Sequence, residues 1–96
     1  MMVNINEIEK IALLLLSKLK ECRGNEIELN NDYYWDIFIE ELYNPYEEPT
    51  NIGLGQISDD LEEVRRLNKR DNAIPYDIKR LAAILLALYA ENPVAF

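Results

Sequence analysis

The chain has no histidine and only one cysteine among its 96 residues. Without histidine, it lacks the usual base of a nucleophilic triad and the commonest nitrogen ligand of zinc. The lone Cys22 cannot close an intramolecular disulfide, which fits a reducing compartment. Glycine (three) and proline (four) are scarce while 49% of residues are apolar, a balance that excludes a disordered, linker-like chain. Long apolar runs are missing too. The two present, Ile11–Leu16 and Leu81–Ala90, span six and ten residues, against the ~20 of a membrane-spanning helix. Acids Glu7 and Glu9 stand where a secretory leader would be positive. The expectation is one cytoplasmic domain over residues 1–96, with no membrane association.

A further absence is local. From Asn25 to Glu63 there is no lysine or arginine, but there are twelve acids and six of the nine aromatics: Tyr33, Tyr34, Trp35, Phe38, Tyr43 and Tyr46. The formal net charge of −8 belongs to this stretch. Residues 1–24 are nearly neutral, and residues 64–80 carry six bases against Asp71 and Asp77. A field of this sign repels nucleic acid and anionic lipid and attracts a basic protein.

Four apolar-striped segments predict an all-α fold, a small bundle of three long helices and one short one. In the first, Ile5, Ile8, Ile11, Ala12, Leu15, Leu19 and Cys22 keep helical spacing, with Asn4 as cap, Glu7 three residues on and Gly24 as terminator. Cys22 on that stripe reads as a small buried hydrophobe. Asn25–Asn30 alternates polar and apolar and reads as an extended connector. Asp32 reads as the cap of a short helix over Tyr33–Tyr43, followed by a loop that Pro45 and Pro49 enforce. Thr50 or Asn51 is placed to cap a third helix reaching about Arg70, buried through Leu54, Ile57, Leu61, Val64 and Leu67, with Gly53 and Gly55 weakening its start or marking a close approach. A fourth helix begins at Pro75 and is apolar almost all round, with Ile78, Leu81, Ala82, Leu85, Leu88 and Tyr89 as its expected core face.

The adjacent acids Glu40–Glu41, Glu47–Glu48, Asp59–Asp60 and Glu62–Glu63 read as solvated, since neighbours on a helix diverge and cannot share a cleft. The calcium-loop spacing is absent. The sequence therefore predicts no catalytic residue, no metal ligand and no cofactor. The basic cluster Arg65–Arg80 straddles a helix end and a helix start. A DNA-reading second helix would carry polar base-reading residues near its start, and this one begins Pro75-Tyr76-Asp77-Ile78. The bases are expected to satisfy a helix terminus and pair with acids.

In the acidic stretch, Tyr34, Trp35, Ile37 and Phe38 are natural core residues. Tyr33, Tyr43 and Tyr46, set among Asp36, Glu40, Glu47 and Glu48, are harder to bury together. Tyrosine amid carboxylates suits an interface with a basic protein, where a ring fills a pocket and acids meet lysines or arginines. These seven residues form the candidate binding set. The wording from Asp32-Tyr-Tyr-Trp-Asp-Ile through Glu41-Leu-Tyr-Asn-Pro-Tyr-Glu-Glu-Pro to Gly55-Gln-Ile-Ser-Asp-Asp resembles a group of small acidic bacterial proteins of unassigned function. That resemblance brings no binding residue with it. In size, charge and helicity the chain is similar to toxin-neutralising immunity proteins. The leading expectation is an inhibitor that occludes a basic protein such as a nuclease toxin. The alternatives are a homo-oligomeric accessory domain with the fourth helix at its interface, and a regulator touching nucleic acid through Arg65–Arg80. Either a monomer or a homodimer is compatible with the sequence.

Overall fold

A computed structural model describes all residues from Met1 to Phe96. It divides into two compact units, residues 1–28 with 92–96 and residues 29–91.

The first unit is built on helix α1 (Ile5–Arg23). Its N-terminus forms as the sequence predicts: the Asn4 side chain accepts the Glu7 N–H at 3.0 Å. Gly24, at φ 85°, ends the helix in the left-handed region and donates its N–H to the Lys20 carbonyl. The Arg23 guanidinium holds the C-terminal segment by donating to the carbonyls of Phe96 (2.9 Å) and Ala95 (3.1 Å). No residue of α1 is buried, and Cys22, expected in a core, is exposed.

The second unit overturns the all-α expectation. It is mixed α/β: strands β1 (Tyr33–Ile37) and β2 (Ile52–Gln56) form an antiparallel two-stranded ribbon, and helices α3 (Ile57–Arg65) and α4 (Tyr76–Glu91) pack together beside it. Helix α2 (Ile39–Leu42) is a single turn between the strands. A 3₁₀ turn over Arg66–Asn68 extends α3. The expected short helix over Tyr33–Tyr43 is thus a strand followed by one turn. The expected third helix loses its first residues to β2. Register pairs Tyr33 with Gln56, Trp35 with Leu54 and Ile37 with Ile52 on one face, and Tyr34 with Gly55 and Asp36 with Gly53 on the other.

Three local features explain the strands. Tyr33–Ile37 is aromatic and β-branched, a composition that favours a pleated surface over a helix. Gly53 and Gly55 weaken any helix across 50–56. Gly55 also answers a packing demand, because a Cβ there would fall inside the Tyr34 ring. That ring cannot step aside freely, since its hydroxyl donates to the Asp60 carboxylate at 2.6 Å. Gly55→Ala is therefore expected to cost about 1–3 kcal/mol in urea unfolding, as overpacking does. In a Tyr34→Ala background the same change should cost little, and equal costs in both backgrounds would refute the clash.

Asp32 caps a helix, but a different one from that expected. It lies at the entry to β1 and reaches across the ribbon to the start of α3. Its backbone carbonyl accepts the Ile57 N–H at 2.7 Å, Oδ1 accepts the Ser58 N–H at 2.8 Å, and Oδ2 accepts the Ser58 hydroxyl and Gln56 Nε2. Gln56 stands at the N-cap position and makes no side-chain cap of its own. The carboxyl of Asp32 is held below its ordinary range by the Gln56 amide first and the Ser58 N–H next.

The core of this unit is small. Ile57 and Ile84 are the buried apolar residues, at 5% and 8% exposed, with Leu61, Val64, Leu67, Ala87 and Leu88 half-buried around them. Helix α4 turns a different face inward from the one its apolar stripe predicts. Asp77, Arg80, Ile84, Leu88 and Glu91 face the unit, while Ile78, Leu81, Ala82, Leu85 and Tyr89 are exposed. Polar pairing decides the orientation, because apolar residues occupy every side of this helix and cannot. Asp77 meets Arg66 and Arg80, and Glu91 accepts the Asn30 N–H at 3.0 Å.

Candidate interaction surface

The ribbon's two faces have opposite character. The inner face is tied to the helices: Tyr34 bonds Asp60, and Asp36 forms an ion pair with Lys79 at 2.9 Å. Burial, then the adjacent Asp60 carboxylate, push the Tyr34 hydroxyl well above the usual tyrosine range, so it remains a donor throughout ordinary conditions. The outer face carries Tyr33, Trp35, Ile52 and Leu54, all exposed, with Trp35 at 76%. The Tyr33 hydroxyl accepts from Gln56 Nε2 at 3.3 Å.

Beyond β1, one carboxylate folds the connection back on itself. Glu41 accepts four hydrogen bonds: the N–H groups of Thr50 and Asn51 (2.9 Å each) on Oε2, and the Thr50 hydroxyl and Asn51 amide (3.0 Å each) on Oε1. This clip joins the start of the loop to its end and leaves Tyr43–Pro49 as a closed excursion. Pro45 and Pro49 stiffen it as the sequence predicts. Tyr43 and Tyr46 are 80% and 94% exposed, and Glu40, Glu47 and Glu48 are exposed around them. Between loop and ribbon lies an open cleft of about 340 Å³. Its apolar lining comes from Ile37, Leu42, Pro45 and Pro49, and its acids are Glu41, Glu47 and Glu48.

Of the seven candidate residues, the structure brings Tyr43, Tyr46, Glu47 and Glu48 into one loop, with Glu40 on the turn that precedes it. Tyr33 lies on the outer face of the ribbon. Asp36 is on the inner face, committed to Lys79. Sequence reasoning missed Trp35 and Phe38 as surface residues, taking both for core. The period-2 alternation Tyr33–Trp35–Ile37 against Tyr34–Asp36 was the signal that places Trp35 with Tyr33. Within the acidic field, Asp36 is offset by Lys79 and Glu63 by Arg66, while Asp32, Glu41 and Asp60 are engaged by hydrogen bonds from neutral groups. The basic cluster is likewise partly used. Arg66 and Arg80 flank Asp77, Lys79 pairs with Asp36, and the Lys79 and Arg80 cations lie 5.0 and 4.5 Å from the centre of the Tyr76 ring.

The clip is pH-sensitive in a definite direction. The Asn51 N–H first, with the Thr50 bonds beside it, holds the Glu41 carboxyl below its ordinary value of 4.5. A carboxyl with a depressed folded value stabilises the folded state above its unfolded value and loses that contribution as pH falls through the folded one. The loop should therefore stay closed at neutral pH and loosen below 4.5. Glu41→Gln should open it at any pH, raising amide exchange at Thr50 and Asn51 by roughly tenfold or more. Unchanged exchange at both amides would show that the clip does not govern the loop.

Compared with protein-family models, with curated proteins and with solved structures, the chain finds no match in any of the three.

Proposed function

We propose that the chain is an acidic protein-binding module that occludes a basic protein, in the manner of an immunity-type inhibitor acting in the cytoplasm. The observation that carries this reading is the clipped loop, which exposes Tyr43 and Tyr46 almost completely beside Glu47 and Glu48. A loop pre-ordered by four hydrogen bonds to Glu41 loses little conformational freedom on docking, so its rings serve as low-cost anchors. The neighbouring cleft suits a lysine or arginine of the partner. The methylene stem would lie along Ile37, Leu42 and Pro45, and the cationic head would reach Glu47 and Glu48. Trp35 and Tyr33 extend the apolar part of the contact along the ribbon.

Capture from a lysate of the native host on the immobilised chain, at low and at high salt, tests the reading. The control is a variant with Tyr43→Ala, Tyr46→Ala, Glu47→Gln and Glu48→Gln. A basic protein retained by the native chain at low salt, released by salt and not held by the variant is the expected result. Identical retention by both chains would end the proposal.

A further inference from the structure

We infer that the chain also self-associates, through an antiparallel pairing of two α1 helices about a two-fold axis. Ile5, Ile8, Ala12, Leu15, Leu19 and Cys22 are spaced alternately three and four residues apart, which sets them in a single seam along the helix. The seam is five turns long and none of it is buried: Ile5, Ile8, Ala12, Leu15 and Cys22 are exposed and Leu19 is half-exposed. Ile11 and Leu16 widen it on either flank. A lone helix of this length is marginal in water, and most helical stability in proteins comes from covering such a stripe.

Two features of the seam choose a second copy of the same helix, running the other way. The first is charge. Glu7 and Glu9 outweigh Lys10 in the N-terminal half, and Lys18, Lys20 and Arg23 outweigh Glu21 in the C-terminal half. Antiparallel pairing lays each acidic half along a basic one, whereas parallel pairing sets like on like. The second is size. Antiparallel register places Ala12 against Leu15 of the second copy, Ile8 against its Leu19, and Ile5 against its Cys22. Small side chains then face large ones at the centre, where parallel register would leave Ala12 opposite another alanine and a void between them. An isologous contact of this kind closes at two chains. Leu13 and Leu14 lie outside the seam and stay uncovered by the pairing.

Cys22 serves as a built-in reporter of direction. In the antiparallel pair the two Cys22 residues are at opposite ends, about 25 Å apart, far beyond disulfide reach. Sedimentation of the full chain should give a dimer at tens of micromolar. Leu15→Glu should reduce it to a monomer, and Leu14→Glu should leave it intact, with a cooperative thermal melt verifying that each variant remains folded. Mild oxidation should cross-link Ile5→Cys through the native Cys22 while leaving the unsubstituted chain uncross-linked. A native chain that sediments as a monomer up to several hundred micromolar overturns the inference, whether α1 stays bare or docks within its own chain. Ready disulfide formation by the unsubstituted chain would overturn the antiparallel direction, and equal effects of Leu14→Glu and Leu15→Glu would remove the seam.

Discussion

Asp77→Ala should produce the steepest loss of stability of any single side-chain change in residues 29–91. Asp77 is 6% exposed, and its carboxylate accepts from Arg66 Nη2 (2.9 and 3.0 Å), Arg80 Nη1 (2.8 Å) and the Ile74 N–H (2.9 Å). The backbone N–H of Ile74 first, then the two guanidiniums, hold its carboxyl below the ordinary value of 3.8. In return, Asp77 raises Arg66 above its own ordinary value. Truncation removes three partners at once. It strands two half-buried cations and leaves the entry to α4 with an unanswered N–H, and breaking a buried pair from one side costs far more than the pair contributes. Asp77→Asn retains an acceptor for Ile74 but cancels the charge, so it should fall between alanine and the native residue. The stabilisation from Asp77 is present above pH 3.8 and declines as pH falls through its lower folded value, so the gap between native and variant should narrow in acid. Thermal melts followed at 222 nm, with amide exchange in the first turn of α4, read the effect. Superimposable melts for the native chain and Asp77→Ala would show that this hub is dispensable.

The second large effect is expected at the binding surface. Once a partner is purified, Tyr43→Ala or Tyr46→Ala should raise its dissociation rate by about thirtyfold, the equivalent of the ~2 kcal/mol lost with a desolvated aromatic anchor. Glu47→Gln and Glu48→Gln should act on the association rate instead, because rim charges steer encounter more than they hold the complex. Added salt should lower the native association rate steeply and that of the double glutamine variant much less. Asp36→Asn is the informative contrast. Its carboxylate is committed to Lys79 on the inner face, so its replacement should disturb the ribbon and leave the salt dependence of binding as it was. Biosensor kinetics across a salt series would separate these cases, and insensitivity of both rates to all four loop changes would leave the loop without a role in recognition.

Where the sequence spoke clearly, it did so through local chemistry. The Asn4 cap, the Gly24 terminator and the two loop prolines each act on neighbours within a few residues, and all sit where their chemistry demands. Interactions across tens of residues were illegible. Asp32 looks like the cap of whatever follows it, and only the ribbon reveals that it caps a helix twenty-six residues downstream. Glu41 looks like half of a solvated acidic pair, yet it is the residue that closes the loop. In α4 an apolar pattern on every side carries no directional information, so Asp77 and Glu91, easily read as surface, decide which face turns inward. The loop residues Tyr43, Tyr46, Glu47 and Glu48 were legible as a group because proline confines them in sequence as well as in space. Asp36 lies apart from them because a five-residue strand sends alternate side chains to opposite sides, and its carboxylate meets Lys79.

The reach of Asp32 also bears on how the second unit assembles. A helix normally nucleates from groups already beside it, but α3 takes its first-turn acceptors from the other end of a hairpin. The ribbon must therefore zip, or at least its open end must meet, before the start of α3 gains its full stability. Closing the chain between Asp32 and Ser58 is a search over twenty-six residues, whose entropic cost grows only slowly with length but is incurred before the capping bonds repay it. Ribbon and helix are therefore expected to form together, and a fragment beginning at Ile57 would carry the helical sequence without the Asp32 acceptors.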